Sequence, residues 1–160
     1  MHHEIQEIQV ACFRLGGDLY AIDIMRIKEI IKPLKLTCLP RFPEFVEGII
    51  NLRGTVMPVV DLRKRFDLKE IENTSNTRLL IVSLSGQILA LVVDEVTEVV
   101  TVAIKDIKPP PNLGEGVDAE YLVGVCLVGQ QMIMLLNIDR LLSSHETREL
   151  RSVHGEIKEV

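Results

Sequence analysis

Few residues of this chain are placed to do chemistry together. The four histidines, His2, His3, His145 and His154, all fall in terminal regions. The three cysteines, Cys12, Cys38 and Cys126, have no CxxC spacing and no histidine near them in sequence. A structural zinc site needs such ligands clustered, so none is expected. Asp61 and the Asp94-Glu95 pair are the best carboxylates for acid–base work, yet each closes an apolar run, where Asp commonly shapes a turn. Gly16-Gly17 lacks the spacing and the long following helix of a phosphate-binding loop. One charged residue still needs a reason. Arg53 stands with Gly54 between two apolar runs, which fits a hairpin whose second central residue takes φ > 0. Glu29, inside another apolar run, is the carboxylate with which Arg53 is expected to pair, fixing two elements relative to each other.

Those elements occur twice. Residues 12–31 align without a gap on residues 81–100, a shift of 69. Leu15 meets Leu84, Gly17 meets Gly86, Ala21 meets Ala90 and Glu29 meets Glu98. The apolar pairs Ile27/Val96, Ile30/Val99 and Ile31/Val100 keep their character. Residues 45–50 align on 121–126, and 56–62 on 132–138, both with a shift of 76. Between those blocks the first copy reads Leu52-Arg53-Gly54 and the second Val128-Gly129-Gln130. A duplicated fold keeps shared positions for packing, so an unshared arginine points to structure between elements or to a partner. Glu29, matched by Glu98, is not unique in this way.

The positioning elements read as strands. Residues 9–15 and 19–22, split by Gly16-Gly17-Asp18, form a hairpin, and Asp23 caps one short helical turn. Apolar runs follow at 27–31, 48–52, 55–60, 78–84, 88–93, 96–104, 124–128 and 132–136. Several short strands with two-residue turns at Arg53-Gly54, Ser85-Gly86 and Gly129-Gln130 predict an all-β sandwich or barrel. Pro58 within a run predicts a sheet edge there. Residues 72–77 are polar and read as the linker between copies; 108–116 read as an extended loop. A helix is expected over about 138–150 with Leu141, Leu142 and Leu150 inward, and a frayed tail after Arg151.

Composition narrows function. With 160 residues, 47% hydrophobic and mean hydropathy +0.23, the chain can fill one aliphatic core or two small ones. A net charge of −5 argues against nucleic acid, which needs a basic stripe. No run reaches a membrane span, and the N-terminus does not read as a signal peptide. The expected place is therefore the cytoplasm, with all three cysteines reduced and buried. In a period-two strand residues i and i+3 face opposite ways. Ile27/Ile30 and Val96/Val99 should thus each leave one aliphatic residue over for an apolar groove between the copies.

Residues 48–66, GIINLRGTVMPVVDLRKRF, closely resemble the CheW family of bacterial chemotaxis coupling proteins. Supporting stretches are YAIDI at 20–24, VVD at 92–94, EYLVG at 120–124 and MLLNI at 134–138; in all, the resemblance covers about 8–145. It implies a single CheW-like domain over 1–160, mainly β. The fold would be two intertwined five-stranded SH3-like barrels related by duplication, with short helices and a C-terminal helix. Subdomain 1 would span about 15–76, and subdomain 2 about 77–142 plus the N-terminal strand 9–14. It also implies a non-enzymatic scaffold, without cofactor, that docks a CheA-type histidine kinase through the kinase's own CheW-like domain. The same scaffold would dock the cytoplasmic tip of methyl-accepting chemoreceptors in arrays at the inner face of the membrane, without inserting into it. Its receptor-facing positions match Ile27, Gly48, Arg53, Val96 and Val99, and its structural ion pair matches Glu29 with Arg53. Competing readings are an adaptor in a related non-chemotaxis receptor–kinase pathway and a small-ligand barrel, which would need convergent polar groups in a pocket.

Overall fold

A computed structural model describes residues 6–38, 40–68, 72–110 and 119–158. His2, His3 and residues 111–116 of the predicted loop lie outside these. Ten strands run in order: β1 Glu7–Leu15, β2 Asp18–Asp23, β3 Ile27–Ile31, β4 Gly48–Leu52, β5 Thr55–Asp61, β6 Arg78–Leu84, β7 Gln87–Val93, β8 Glu95–Ala103, β9 Leu122–Val128 and β10 Gln131–Leu136. Helix α1 is the single turn Leu62–Arg65, and α2 is Ser144–Lys158. The strands form two five-stranded sheets, ordered β8-β1-β2-β10-β9 and β3-β6-β7-β5-β4. Replacing each strand by its duplicate converts one order into the other. This is the SH3-like duplicated β fold.

The sheets do not follow the expected division near residue 76. Not only residues 9–14 but the whole β1–β2 hairpin joins β8, β9 and β10; in return the β6–β7 hairpin joins β3, β4 and β5. The reason lies in the sequence of these hairpins. Val10 and Cys12 of β1 face one core cluster, with Leu19 and Ala21 of β2. Phe13 and Leu15 face another, with Tyr20 and Ile22. In β6 and β7, Leu79, Ile81, Ala90 and Val92 line a third cluster, while Leu80, Val82, Leu89 and Leu91 turn to the same central one. Strands covered on both faces read as continuous apolar runs, as these four do. They must therefore lie between two cores, and the exchange of hairpins puts them there. A row of aromatics, Phe13, Tyr20, Phe66 and Tyr121, with successive centroids 6.4, 5.9 and 5.5 Å apart, crosses the central cluster.

Three local expectations change. Pro58 lies in β5, an inner strand. It faces Ile49 of β4, whose N–H and C=O turn away to Thr37 at 2.8 and 2.9 Å, and β7 pairs with β5 only from Val59 onward. Neither neighbour therefore asks for the N–H that proline lacks. Cys38 is exposed, while Cys12 and Cys126 are buried; burial pushes the Cys12 thiol up to about 11. The C-terminal helix starts later and runs further than expected. Residues 138–140 form a short 3-10 turn capped by Asn137. In α2, Glu146 N–H donates to the Ser143 hydroxyl (3.1 Å) and Ser143 N–H to the Glu146 carboxylate (2.9 Å), a capping box. Past Arg151, buried Val153 and the His154 ring, 3.0 Å from the Ile88 carbonyl oxygen, hold the predicted tail in place.

Candidate functional site

Arg53 and Gly54 form the two central residues of the β4–β5 turn, at φ 49° and 88°. Two consecutive positive φ values match the right-handed twist of a hairpin. Gly54 N–H donates to the Asn51 side chain at 2.8 Å and closes the turn. The second copy solves the same turn differently: its first central residue, Gly129 (φ 63°), takes the left-handed region without steric cost. The first copy thus keeps an arginine where the backbone disfavours any side chain. That side chain is 69% exposed and donates to the Glu29 carboxylate of β3 at 2.5 Å. The hydrogen bond from Arg53 holds the Glu29 carboxyl below its ordinary range. The expected pair is present and spans two strands, β3 and the β4–β5 tip.

Gly48 is buried at the start of β4. A Cβ there would stand 2.6 Å from the Thr37 carbonyl oxygen and 2.9 Å from Leu36 Cγ. Its duplicate Gly124 would meet the Lys108 carbonyl oxygen at 2.5 Å. In both copies the incoming loop makes a backbone bridge to this strand, Thr37 to Ile49 and Lys108 to Val125. The close approach accounts for the glycine through the fold itself.

The aliphatic residues were expected on opposite faces of their strands, and bulges prevent this. Along β3, Ile27 faces Val82 and Ile30 faces Leu80, so three residues of β3 span two of β6. Along β8, Val96 faces Phe13 and Val99 faces Ala11, again three against two. A bulge adds one residue and returns i and i+3 to the same face. Ile27 and Val96 are half-buried against the central cluster. Beyond them Ile30 is 41% and Val99 50% exposed. Each sheet edge therefore carries the shared core outward as a step of two aliphatic residues. Two cavities lie elsewhere. One of about 680 Å³ lies between Phe45, α1 and the start of α2, and its Lys64–Glu47, Arg65–Glu146 and His145–Glu149 groups are paired with each other. The other, about 130 Å³, lies by Leu34, Leu36 and Arg63.

Residues 9–146 match the CheW-like domain. The chain belongs to the CheW-like family. It is 36% identical over 152 residues to the chemotaxis protein CheW of Treponema pallidum (strain Nichols), covering 92% of this chain and 89% of that one. It is 39% identical over 126 residues to the CheW of Bacillus subtilis (strain 168), covering 79% of each. In structure it is similar to the scaffolding protein TtCheW from Thermoanaerobacter tengcongensis. The TM-score is 0.79 at 35% identity, over 89% of this chain and 92% of that one.

Within this CheW-like fold, sequence reasoning took Asp61 and Asp94 only as turn formers and missed the cation they share. Arg63, 2% exposed, donates from Nε and Nη2 to Asp61 (3.0 and 2.9 Å), from Nη1 to Asp94 (3.3 Å) and from Nη2 to Asn73 (2.6 Å). Asp94 also accepts from Gly16 N–H at 2.8 Å. The duplicate of Arg63, 76 residues on, is Asp139, and that of Asp94, 69 residues back, is Met25, beside Arg26. Asp139 and Arg26 form the corresponding pair at 2.7 Å with the charges reversed. The change of sign from Arg63 to Asp139 at one aligned position, with Arg26 one residue beyond the other, was the signal in the sequence. Arg65 of α1, over the Tyr121 ring at 5.8 Å, pairs with Glu146 and ties α2 down.

Proposed function

We propose that this chain is a non-enzymatic adaptor coupling chemoreceptors to a CheA-type histidine kinase in chemotaxis signalling. The observation that carries the reading is Arg53. It is exposed, absent from the second copy, and kept at a left-handed turn position where glycine would serve the fold better. Membership of a family whose relatives are named chemotaxis and scaffolding proteins supports the same reading. A receptor's cytoplasmic helical tip lays an apolar face on the steps Ile27–Ile30 and Val96–Val99, as amphipathic helices do on apolar grooves. Arg53, steadied by Glu29, supplies the polar contact that fixes its register. Gly48 keeps the strand beneath in position. The kinase binds through its own CheW-like domain at the barrel ends. The protein works in the cytoplasm, at receptor arrays on the inner face of the membrane; no described helix is long and apolar enough to cross it.

The test is co-sedimentation with a receptor cytoplasmic fragment and a CheA-type kinase. Val99→Asp places a charge at a half-exposed position, so the variant should fold as judged by circular dichroism. It should lose receptor binding at least about tenfold while keeping the kinase. Arg53→Ala should likewise fold and weaken the ternary assembly. Folded variants that both bind receptor as the parent does would remove this surface from the reading.

A further inference from the structure

The two copies treat one carboxylate differently. Glu98 is the duplicate of Glu29, and the backbone register around it repeats. Ile27 and Ile30 of β3 face Val82 and Leu80. Val96 and Val99 of β8 face Phe13 and Ala11, the duplicates of those two. Each glutamate therefore stands one residue before the outer aliphatic residue of its step. In the first copy its carboxylate takes the guanidinium of Arg53 from the β4–β5 turn. In the second copy the position of that arginine is Gly129, where a Cβ would meet nothing within 4 Å. Glu98 is exposed, and among the described residues no ion pair includes it. Both apolar steps thus carry a carboxylate, and only the first carries its own cation.

We propose that the receptor helix on the Val96–Val99 step brings its own cation, a lysine or arginine, to Glu98, in the place that Arg53 takes beside Glu29. This rests on the receptor reading above and adds the charge that the receptor must carry there. The two steps then present opposite signs to the partner: Arg53, with its side chain 69% exposed, beside the first, and Glu98 beside the second. A helical tip laid on in the reverse sense would set like charge against like, so Glu98 selects one orientation of the partner.

The test titrates a receptor cytoplasmic hairpin fragment against the parent and three variants, with thermal melts to confirm folding. Glu98→Gln keeps the shape and removes the charge. It should weaken receptor binding about two- to fivefold, the range of a partly exposed ion pair, and make binding less sensitive to salt. Gly129→Arg supplies the cation within the chain. Arg53 shows that this turn position accepts arginine, at φ 49° against 63° for Gly129. The new arginine should occupy Glu98 and weaken receptor binding by a similar factor. In the double variant the two losses should not add, because both act on one contact. A parent that does not bind the fragment would remove the receptor reading and this inference with it. A parent that binds, with Glu98→Gln binding equally well, would overturn this inference alone and leave Glu98 as a charge guarding a sheet edge. If Gly129→Arg costs as much on the Glu98→Gln background as on the parent, the arginine acts by bulk, and the shared place is overturned. Should Gly129→Arg fail to fold, Glu98→Gln decides by itself.

Discussion

Replacing Arg63 by methionine keeps the aliphatic stem and removes a buried guanidinium. Five hydrogen bonds go: two to Asp61, and one each to Asp94, Asn73 and the Glu72 carbonyl oxygen. Asp61, 6% exposed, is left buried without its cation. Removing one partner of a buried ion pair costs about 3–5 kcal/mol. The lower end applies here, because Asp61 still accepts from Arg63 N–H at 2.9 Å and Asp94 from Gly16 N–H. A loss of about 3 kcal/mol, with a urea slope of about 2 kcal/mol/M, lowers the unfolding midpoint by about 1.5 M. The duplicate supplies the control. In the reversed pair, Arg26 and Asp139 side chains are 33% and 59% exposed, so Arg26→Met should cost no more than about 1 kcal/mol. Urea unfolding followed by circular dichroism reads both. Equal midpoint shifts for the two variants would refute the assignment of Arg63 as a buried hub.

Gly48→Ala should cost on the order of 1–3 kcal/mol through overpacking against the Thr37 carbonyl, and Gly124→Ala a similar amount against Lys108. Thermal melts check both, and an unchanged melt for Gly48→Ala would return that residue to a purely partner-facing role. Burial pushes the Glu146 carboxyl up, but hydrogen bonds from Arg65 and from Ser143 more than offset this, leaving it below the ordinary 4.5. Its stabilising contribution is then complete above 4.5 and is lost as pH falls through the lower folded-state value. Stability should therefore decline on acidification below about pH 4.5, and Arg65→Met should show a shallower decline. Parallel pH–melting curves for the two proteins would count against it.

The strand content and its duplication were legible because burial leaves a direct mark on composition. β6 and β7 are apolar at nearly every position, as are β1 from Val10 to Phe13 and β2 from Leu19 to Ile22, which is what strands with two covered faces require. The turns were legible from Gly17, Gly54 and Gly86, all at positive φ. The hairpin exchange was not, since two-faced burial says that a second core exists without saying which strands supply it. The bulges in β3 and β8 were not legible either: a bulge is defined by the partner's register, so the period-two rule put Ile30 and Val99 on the wrong face. For α2 the signal was present. Leu150, Val153 and His154 stand at helical spacing, but the charged residues between them masked a short buried stripe.

Duplication makes divergence informative in this fold. Both copies must fill the same kind of barrel and lend a hairpin to the other, so Gly48 and Gly124 remain under the same steric demand. The latch between the copies reverses its sign with both members changed, from the buried Arg63 with Asp94 in one place to the more exposed Asp139 with Arg26 in the other. Arg53 obeys neither constraint. Its turn in the second copy closes without a side chain, its partner Glu29 has a counterpart in Glu98, and its guanidinium lies mostly in water. A residue that the fold does not require, at a backbone position that favours glycine, is the ground on which the proposed partner contact rests.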